Sequence, residues 1–422
     1  MAVIKPFRGL RYNKEKIRDL EKVVSPPYDV ISEQEKKDYL NSSPYNITRL
    51  ILPEPDGGND KYNSACNLLN QWINSDILSM DKESSIYIYQ QIFNISGNDI
   101  TRTGFICLLK LEEFKHGTVL PHEKTLSAPK EDRLNLMNAC EANLSQIFGL
   151  YQDTNPIISQ IMEKNTSDSP IIDITDTKGE KHKLWAVADK DDIHTIISAM
   201  QDKKVFIADG HHRYETALNY RRKLIENSSH TGNEPYNFIM MYLCEMNETG
   251  LVVLPTHRLL KDLSEFNKSA FRQNLSAYFD VIQTNKKNLF EYMDKNKDKH
   301  VFGLYMGKGE FYALNKGLKP LVQENIPDAW KELDVAILHK VIIENVLGIT
   351  DESVKLQKNI KYTADKEEGI RQIDNGSYEL LLFLNPTKLS QIKKISLKGE
   401  VMPQKSTYFY PKLLTGLVIN KL

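Results

Sequence analysis

The pattern of apolar and polar residues changes its period several times along the chain. Over residues 63–78, apolar residues recur every three or four positions, and this spacing predicts a helix. Residues 85–95 and 103–111 are apolar stretches of strand length. The sequence Gly-Asn-Asp at 97–99 lies between them and predicts the turn of a hairpin.

The other predicted elements follow one another in an irregular order, so the expected class is α+β. Helices are expected over residues 33–40, 129–143, 155–165, 191–201 and 333–346, and from residue 211 onward. Strands are expected over residues 7–12, 147–151, 183–188, 205–208, 238–243, 251–255 and 379–384. The polar stretch NSSHTGNE at 227–234 predicts a domain boundary. The predicted domains are therefore residues 1–226 and 235–422.

Composition and charge narrow the class of protein without indicating an activity. Of the 422 residues, 41% are apolar and 26% are charged, as in ordinary globular enzymes. Lys and Arg together number 55 and Asp and Glu 56, so bulk charge does not recruit nucleic acid. A local basic groove is still possible, so the charge balance weakens nucleic-acid binding without excluding it.

The N-terminus and the cysteines indicate a cytoplasmic protein with no membrane segment. The first residues lack the basic segment and apolar run of a signal peptide. No stretch of about 18 uninterrupted apolar residues occurs. The cysteines are far apart and form no C-x-x-C pair, which favours buried reduced thiols over disulfides or a cysteine zinc site; they are Cys66, Cys107, Cys140 and Cys244.

One segment, V-F-I-A-D-G-H-H-R-Y-E-T-A, concentrates polar chemistry at a predicted strand-to-helix turn. Gly210 permits close approach of the backbone, and N–H groups at the start of the helix would converge where its dipole favours an anion. Arg213 can bind a phosphate through two parallel hydrogen bonds. Asp209 can hold Mg²⁺ or orient a histidine, and His211 or His212 can donate to phosphate or transfer a proton. The alternative is a capped helix with surface histidines.

Two acids lie beside a stiff Pro-Pro turn near the N-terminus, Asp29 and Glu33. A hydroxyl that attacks phosphorus needs a carboxylate to accept its proton, and both acids are candidates for this base. The alternative is that Asp29 caps the turn and Glu33 is solvated. The sequence does not choose between the two acids.

Two mixed polar segments are candidate phosphate or nucleotide contacts. The first is a basic loop ahead of a helix, and its candidates are His122, Lys124, Thr125 and Arg133. It is not a zinc-protease helix, because no His follows four residues after His122. The second combines hydroxyls, cations and aromatics, and its candidates are Lys405, Ser406 and Thr407. The alternatives are a solvated charge run for the first and an aromatic core strand for the second.

Taken together, the motifs resemble the domain of unknown function 1015 family over nearly the whole chain. The resemblance rests first on the segment V-F-I-A-D-G-H-H-R-Y-E-T-A at 205–217. The further motifs are P-F-R-G-L-R-Y at 6–12, V-S-P-P-Y-D-V-I at 24–31, H-E-K-T at 122–125, L-P-T-H-R at 254–258 and K-S-T-Y-F-Y-P-K at 405–412.

More broadly, the chain is similar to the ParB/sulfiredoxin-like superfamily, in which an equivalent G-x-x-R turn holds nucleotide phosphates. This similarity implies a ParB/sulfiredoxin-like core with a long insertion, followed by a mixed α/β C-terminal domain. Sulfiredoxin chemistry is not implied, because His211 and His212 stand where a Cys is needed. The sequence also shows no helix-turn-helix domain of the kind that ParB clamp proteins add.

Free serine kinases of this superfamily carry a similar D-G-H-x-R segment and phosphorylate free L-serine, with an N-terminal acid as the base. The resemblance therefore implies phosphoryl transfer of a serine kinase-like or a phosphoserine phosphatase-like kind. It also implies ADP or ATP, Mg²⁺ on Asp209, and serine or phosphoserine as substrate. The direction of transfer, the nucleotide and the oligomeric state stay open. The rival hypothesis is a ParB-like nucleotide-binding switch or scaffold without metabolite turnover.

Overall fold

The structure is a computed structural model, and it describes residues 1–227, 229–263, 266–316, 330–356 and 358–422. The chain divides into two compact units. Unit 1 consists of Met1–Pro121, Thr125–Val252 and Pro411–Leu422. Unit 2 consists of His122–Lys124 and Val253–Tyr410.

The secondary structure mixes strands with helices throughout the chain. The strands are β1 (Ile4–Lys5), β2 (Leu10–Tyr12), β3 (Leu78–Met80), β4 (Ile86–Ile95), β5 (Asn98–Lys110), β6 (Val119–Leu120), β7 (Ala142–Asn143), β8 (Ile147–Tyr151), β9 (Ile172–Thr175), β10 (Lys181–Val187), β11 (Val205–Asp209), β12 (Phe238–Glu245), β13 (Val252–Leu254), β14 (His257–Leu260), β15 (Asp280–Thr284), β16 (Val301–Tyr305), β17 (Phe311–Asn315), β18 (Ile360–Thr363), β19 (Leu380–Phe383), β20 (Tyr408–Tyr410) and β21 (Asn420–Lys421). The α-helices are α1 (Glu33–Ser42), α2 (Thr48–Ile51), α3 (Lys61–Asn74), α4 (Ser127–Cys140), α5 (Ile157–Thr166), α6 (Lys190–Met200), α7 (His211–Asn227), α8 (Lys268–Leu275), α9 (Lys286–Lys295), α10 (Asp334–Ile337), α11 (Asp351–Lys355), α12 (Lys366–Asp374) and α13 (Leu389–Leu397). Shorter 3₁₀ turns are Leu20–Lys22, Tyr28–Val30, Phe114–His116, Pro235–Asn237 and Trp330–Glu332, and Leu338–Val346 is π-helical.

Unit 1 is built on one large sheet with the order β6-β11-β8-β12-β5-β4-β10-β9, and β1 pairs with β5. The predicted hairpin is present as β4 and β5, which turn at Gly97. Strand β11 runs parallel to the edge strand β6 and antiparallel to β8. The strand that leads into the D-G-H-H-R motif is therefore held on both sides.

The two faces of this sheet are packed differently. One face forms an apolar core with residues of α5, α6 and α7, including Ile161, Ile196 and Ala217. Ile86 and Ile88 of β4 belong to this core. Because side chains alternate along a strand, Tyr87 and Tyr89 point to the opposite face. There the buried aromatic rings of Tyr89 and Phe148 contact that of Tyr242 edge-on. This second face also carries buried polar side chains, among them Gln91 and His182.

The compact units of the structure do not divide at residues 227–234, where the sequence predicts a domain boundary. Strand β12, which the sequence analysis assigned to the second domain, lies between β8 and β5 in the sheet of unit 1. Unit 1 continues to residue 252 and receives the chain again at residue 411. The polar stretch is a connection between α7 and a central strand of the same unit, and its composition reflects an exposed loop.

Unit 2 contains a six-stranded sheet with the order β15-β17-β16-β19-β14-β18, and β13 pairs with β20. Its core includes Leu289, Tyr305 and Phe383. The helix predicted over residues 333–346 is present as α10 and the π-helical segment. The predicted class of mixed α and β is confirmed, whereas the ParB/sulfiredoxin-like core stays a prediction. Among the described residues, no helix is both long and apolar enough to cross a membrane.

Candidate functional site

The D-G-H-H-R motif forms the predicted strand-to-helix turn. Strand β11 ends at Asp209, Gly210 has a φ of 92°, and α7 begins at the next residue. The pairing of β11 with β8 shifts register between Ile207 and Asp209, which marks a β-bulge. Bulges re-aim side chains at the ends of strands, so the local geometry sets the direction of the Asp209 carboxylate.

Asp209 lies between two cations. Its Oδ2 accepts a hydrogen bond from Nη2 of Arg213 at 2.8 Å, and its Oδ1 accepts one from Nζ of Lys412 at 2.5 Å. The side chains of Arg213 and Lys412 are only 11% and 12% exposed. We call Arg213 and Lys412 the cationic pair, which a single carboxylate holds together at the N-terminus of α7.

Arg213 also fastens the turn to the segment before β8. Its Nη1 donates to Oγ of Ser145 at 3.1 Å and to the carbonyl of Gln146 at 2.5 Å. The side chain of Gln146 in turn donates to the carbonyl of Leu414 at 3.0 Å. Arg213 is therefore both a charge at the motif and a structural anchor within unit 1.

The backbone around Lys412 is hydrogen bonded to side chains of β4 and β5. Gln91 donates to the carbonyl of Lys412 at 3.0 Å, and the buried Arg102 donates to the carbonyl of Pro411. The N–H of Leu414 donates to the hydroxyl of Tyr89 at 3.3 Å. The position of the lysine beside Asp209 is therefore fixed by its backbone. The sequence analysis did not select Lys412, although it ends the motif K-S-T-Y-F-Y-P-K.

A cavity next to the motif contains part of the predicted site. Its volume is about 60 Å³. Its polar lining residues are Tyr28, Arg133, Asn143, Ser145, Arg213 and Thr216. Arg213 therefore faces a concavity, whereas Asp209, His211 and His212 are not among the described residues that line it.

Arg133, predicted as a phosphate contact, is occupied by internal partners. It donates to Asp132 and to the carbonyl of Ile51, and its guanidinium lies 4.2 Å from the ring centroid of Tyr28. Burial opposes ionisation of Asp132, but hydrogen bonds from Lys61 and Arg133 lower its pKa to about 2. Arg133 thus supports the wall of the cavity, and its donors do not point to an open anion site.

Both N-terminal acids are exposed. Asp29 follows the partly buried Tyr28 in a 3₁₀ turn, and Glu33 is the first residue of α1. Burial, reinforced by the charge of Asp29, raises the pKa of Tyr28 to about 12, and the charge of Arg213 acts in the opposite direction. The turn that carries Asp29 is therefore close to the motif. The role of either acid as the base stays a prediction.

Side chains at the start of α7 contact the loop before α4. Nε2 of His212 accepts a hydrogen bond from the N–H of Leu126 at 2.9 Å. Thr125 donates to Glu215 at 2.8 Å, so this predicted phosphate contact has a carboxylate partner. His211 is only 7% exposed. The first turn of α7 is therefore packed against the loop before α4. The cationic pair is the charged group next to this turn.

The remaining predicted contacts lie together in unit 2. Nε2 of His122 and Oγ1 of Thr407 are hydrogen bonded at 2.9 Å, and Ser406 donates to the carbonyl of Pro403 at 2.5 Å. The N–H of Lys405 donates to a neighbouring carboxylate, and Lys124 lies over the ring of Trp330. The candidates from the sequence therefore divide between two units, with Asp29, Glu33, Thr125, Arg133 and the D-G-H-H-R motif in unit 1.

The donor set around Asp209 does not fit a resident Mg²⁺ ion. Mg²⁺ requires near-octahedral oxygen ligands at about 2.0–2.1 Å. Both carboxylate oxygens of Asp209 already contact a cation, at 2.8 Å from Arg213 and 2.5 Å from Lys412. An ion on this carboxylate would lie beside two positive charges. These contacts favour a role for Asp209 in fixing the cationic pair, and its predicted role as a metal ligand stays a prediction.

Gly210→Ala is expected to destabilise unit 1 and displace Arg213. At a φ of 92°, an added Cβ would lie 2.9 Å from Nη2 of Arg213. The left-handed backbone alone costs about 1–2 kcal/mol, and the clash adds to it. Gly232→Ala is the matched control, because Gly232 has a φ of 91° and open space around it. Urea unfolding of both variants measures the difference; equal losses would contradict the contact with Arg213.

Comparisons with known proteins give distant structural relatives and one family. The fold is similar to a conserved hypothetical protein from Pyrococcus furiosus at 14% identity and a TM-score of 0.36, covering 70% of this chain and 89% of the other. A free serine kinase in complex with AMP is 14% identical with a TM-score of 0.36, and the match covers 69% of this chain and 84% of the kinase. SbnI from Staphylococcus aureus, truncated at its C-terminus, is 11% identical with a TM-score of 0.36, and the match covers 74% of this chain and 86% of SbnI. Likenesses this distant transfer no activity.

No curated protein matches the sequence. A sequence model of one family does match, over residues 4–336. The match includes the D-G-H-H-R motif and the Pro-Pro segment that carried the resemblance seen in the sequence. The chain therefore belongs to the family described as "Protein of unknown function (DUF1015)".

Proposed function

We propose that this protein transfers a phosphoryl group between a nucleotide and a small hydroxyl-bearing metabolite at the turn around Asp209. The observation that carries the proposal is the cationic pair, Arg213 and Lys412, held by one carboxylate at the N-terminus of a 17-residue helix. Helix N-termini favour anions through their N–H groups and dipole. Guanidinium and ammonium groups stabilise the charge that spreads over a transferring phosphoryl group.

Asp209 supplies pre-organisation in this proposal. Without substrate, it neutralises part of the charge of Arg213 and Lys412 and keeps them in place. A phosphoryl group that enters competes with the carboxylate for the same donors, and the cations need little movement to bind it. Pre-organised charges of this kind avoid the cost of reorganisation during the reaction.

The substrate pair is the part of the proposal that depends on the resemblance to free serine kinases. We propose L-serine or O-phosphoserine as the metabolite and ADP or ATP as the nucleotide. In the forward direction, the Oγ–P bond forms as the P–O bond to the leaving nucleotide breaks. The hydroxyl proton passes to a carboxylate. Any Mg²⁺ would arrive on the nucleotide phosphates, which is a common way for this ion to bind.

For the base we propose Asp29, with Glu33 as the weaker candidate. Tyr28, the neighbour of Asp29, lines the same cavity as Arg213, whereas no residue of α1 is among the described residues that line it. The transition state of phosphoryl transfer is mostly loose, so positioning and charge contribute more than the base does. The residues His122, Lys124, Lys405, Ser406 and Thr407 remain proposed nucleotide contacts of unit 2, and the transfer step does not require them.

The deciding experiment is incubation of the purified protein with L-serine and ADP or ATP, with and without Mg²⁺, followed by mass spectrometry. A parallel reaction starts from phosphoserine. We expect product in one of the two directions, and a roughly ten- to hundredfold slower reaction for Asp29→Asn. Glu33→Gln tests the second candidate for the base and is expected to turn over normally if Asp29 is the base. Absence of product in both directions, together with nucleotide-dependent dimerisation, would instead support a switch or scaffold.

A further inference from the structure

A second polar cluster lies on the large sheet of unit 1, away from the D-G-H-H-R motif in sequence. Strands β9 and β10 form a hairpin whose turn contains Asp176 and Gly179. Glu180 and His182 follow, two residues apart, so they lie on the same face of the strand. One ligand-type atom from each of Asp176, Glu180 and His182 lies within 4.8 Å of the others.

The turn leaves one oxygen of Asp176 directed at the histidine. Its Oδ1 accepts hydrogen bonds from the N–H groups of Lys178 and Glu180, both at 2.9 Å. Its Oδ2 is 3.5 Å from Nε2 of His182. That separation is longer than an ordinary hydrogen bond of about 2.7–3.2 Å. It matches the roughly 3.4 Å between two ligands of a tetrahedral ion with bonds of about 2.0–2.2 Å.

His182 is buried, and a hydrogen bond to Tyr89 fixes the orientation of its ring. It is 0% exposed, and among the described residues no partner completes a hydrogen bond with its Nε2. Its other ring nitrogen, Nδ1, is 2.8 Å from the hydroxyl of Tyr89. Histidines that bind metals are usually fixed by such a contact at the second nitrogen, which sets the tautomer and leaves the first nitrogen for the ion.

The charge of the cluster also favours a cation. Glu180 is 6% exposed and the side chain of Asp176 10%, so two carboxylates are nearly removed from water. Buried charges are normally paired or coordinate a metal. Arg102 lies in the same cross-strand row, through Gln91, and contributes one positive charge. A divalent ion would lie between the two carboxylates and occupy the direction of Nε2.

We propose that Asp176, Glu180 and His182 bind one divalent transition-metal ion of the Mn²⁺ to Zn²⁺ class. One imidazole with two carboxylates suits these ions, whereas Mg²⁺ and Ca²⁺ prefer oxygen ligands alone. The ion would hold the β9–β10 hairpin and, through Tyr89, the backbone at Leu414, which lies two residues beyond Lys412. It is a different site from the one proposed for phosphoryl transfer.

The test uses the full chain, stripped with a chelator and titrated with Zn²⁺, Mn²⁺ or Mg²⁺ by calorimetry. We expect one equivalent of Zn²⁺ or Mn²⁺ per chain, with far weaker binding of Mg²⁺. At a hundredfold excess of metal over Kd, Tm should rise by on the order of 5 °C, because the ion binds only the folded state. Folded wild-type protein that binds neither Zn²⁺ nor Mn²⁺ would overturn the proposal.

Variants assign the bound metal to this cluster. Glu180→Gln keeps the shape of the side chain and should abolish stoichiometric binding. Tyr89→Phe keeps the ring and removes only the hydroxyl, so it should weaken binding by about 10–100-fold. His300→Ala is the control, since His300 lies in unit 2, where it is hydrogen bonded to Asp334 at 2.7 Å, and should leave binding unchanged. Unchanged affinity in Glu180→Gln and Tyr89→Phe would refute the assignment. Because no substrate is present, the outcome is independent of the proposed phosphoryl transfer.

Discussion

Arg213→Ala is expected to lower kcat/KM by roughly 10²–10³ and, in addition, to destabilise unit 1. Loss of a pre-organised donor to a developing oxyanion typically has an effect of this size, about 3–4 kcal/mol of transition-state stabilisation. The same guanidinium donates to Asp209, Ser145 and the carbonyl of Gln146. Partly buried acceptors left without their donor cost about 1–3 kcal/mol of unfolding free energy.

Two measurements on one preparation separate these contributions. Turnover with serine or phosphoserine reports the catalytic role, and urea unfolding reports the anchoring role. Arg213→Lys should recover part of the activity but not all of it, because an ammonium group cannot reproduce the planar fork. Arg222→Ala is the control on the same helix, since Arg222 is 52% exposed and bonds to Glu113. An Arg213→Ala protein with normal stability and normal turnover would contradict both roles.

Lys412→Met is expected to lower kcat/KM by a similar factor, roughly 10²–10³, with little change in stability. Methionine keeps the length of the apolar stem and removes only the charge. Asp209 keeps its hydrogen bond to Arg213 in this variant. Because Arg213 still pairs with the carboxylate, no buried charge is left unpaired, and the expected cost is about 1 kcal/mol, the net contribution of one hydrogen bond. A loss of activity without a loss of stability therefore distinguishes the lysine from the arginine.

The control for the lysine lies nearby in the chain. Lys421 donates to the carbonyl of Cys140 at 3.0 Å and belongs to the same C-terminal segment of unit 1. Lys421→Met should therefore leave kcat/KM unchanged. If Lys412→Met turns over normally while Arg213→Ala is inactive, the lysine only neutralises Asp209, and the phosphate contact belongs to the arginine alone.

Local elements of the fold were predicted well where a single segment contains all the information. The helix predicted over residues 33–40 is α1, which begins with a capping box of Ser32 and Glu35. The strand predicted over residues 147–151 is β8 with the same bounds. The helix predicted over 63–78 ends earlier, at Asn74, because Asp76 adopts a left-handed φ of 57° and β3 then begins. Periodicity does not report such a break.

Sheet membership could not be predicted in the same way. The polar stretch at 227–234 separates two apolar segments, and in the sequence it has the composition of a linker. In the structure, the strand that follows it pairs with β5 and β8 inside unit 1. Which strands pair depends on contacts between distant segments, and an exposed loop has the same polar composition whether it joins two domains or two elements of one.

The sequence alone determined the local chemistry: a strand, a glycine with positive φ, a helix N-terminus, and the polar side chains of Asp209, His211, His212 and Arg213 at that turn. Only the tertiary structure decided which of these groups form ion pairs and which are buried against neighbouring segments. It brought Lys412 to Asp209 across 203 residues and directed Arg213 to the carbonyl of Gln146. It likewise placed His182 beside Asp176, on a strand in which the sequence indicated no candidate site residue. The physical reason is that the direction of a side chain at a turn follows from local backbone geometry, whereas its partner is supplied by whichever distant strand or terminal segment packs beside it.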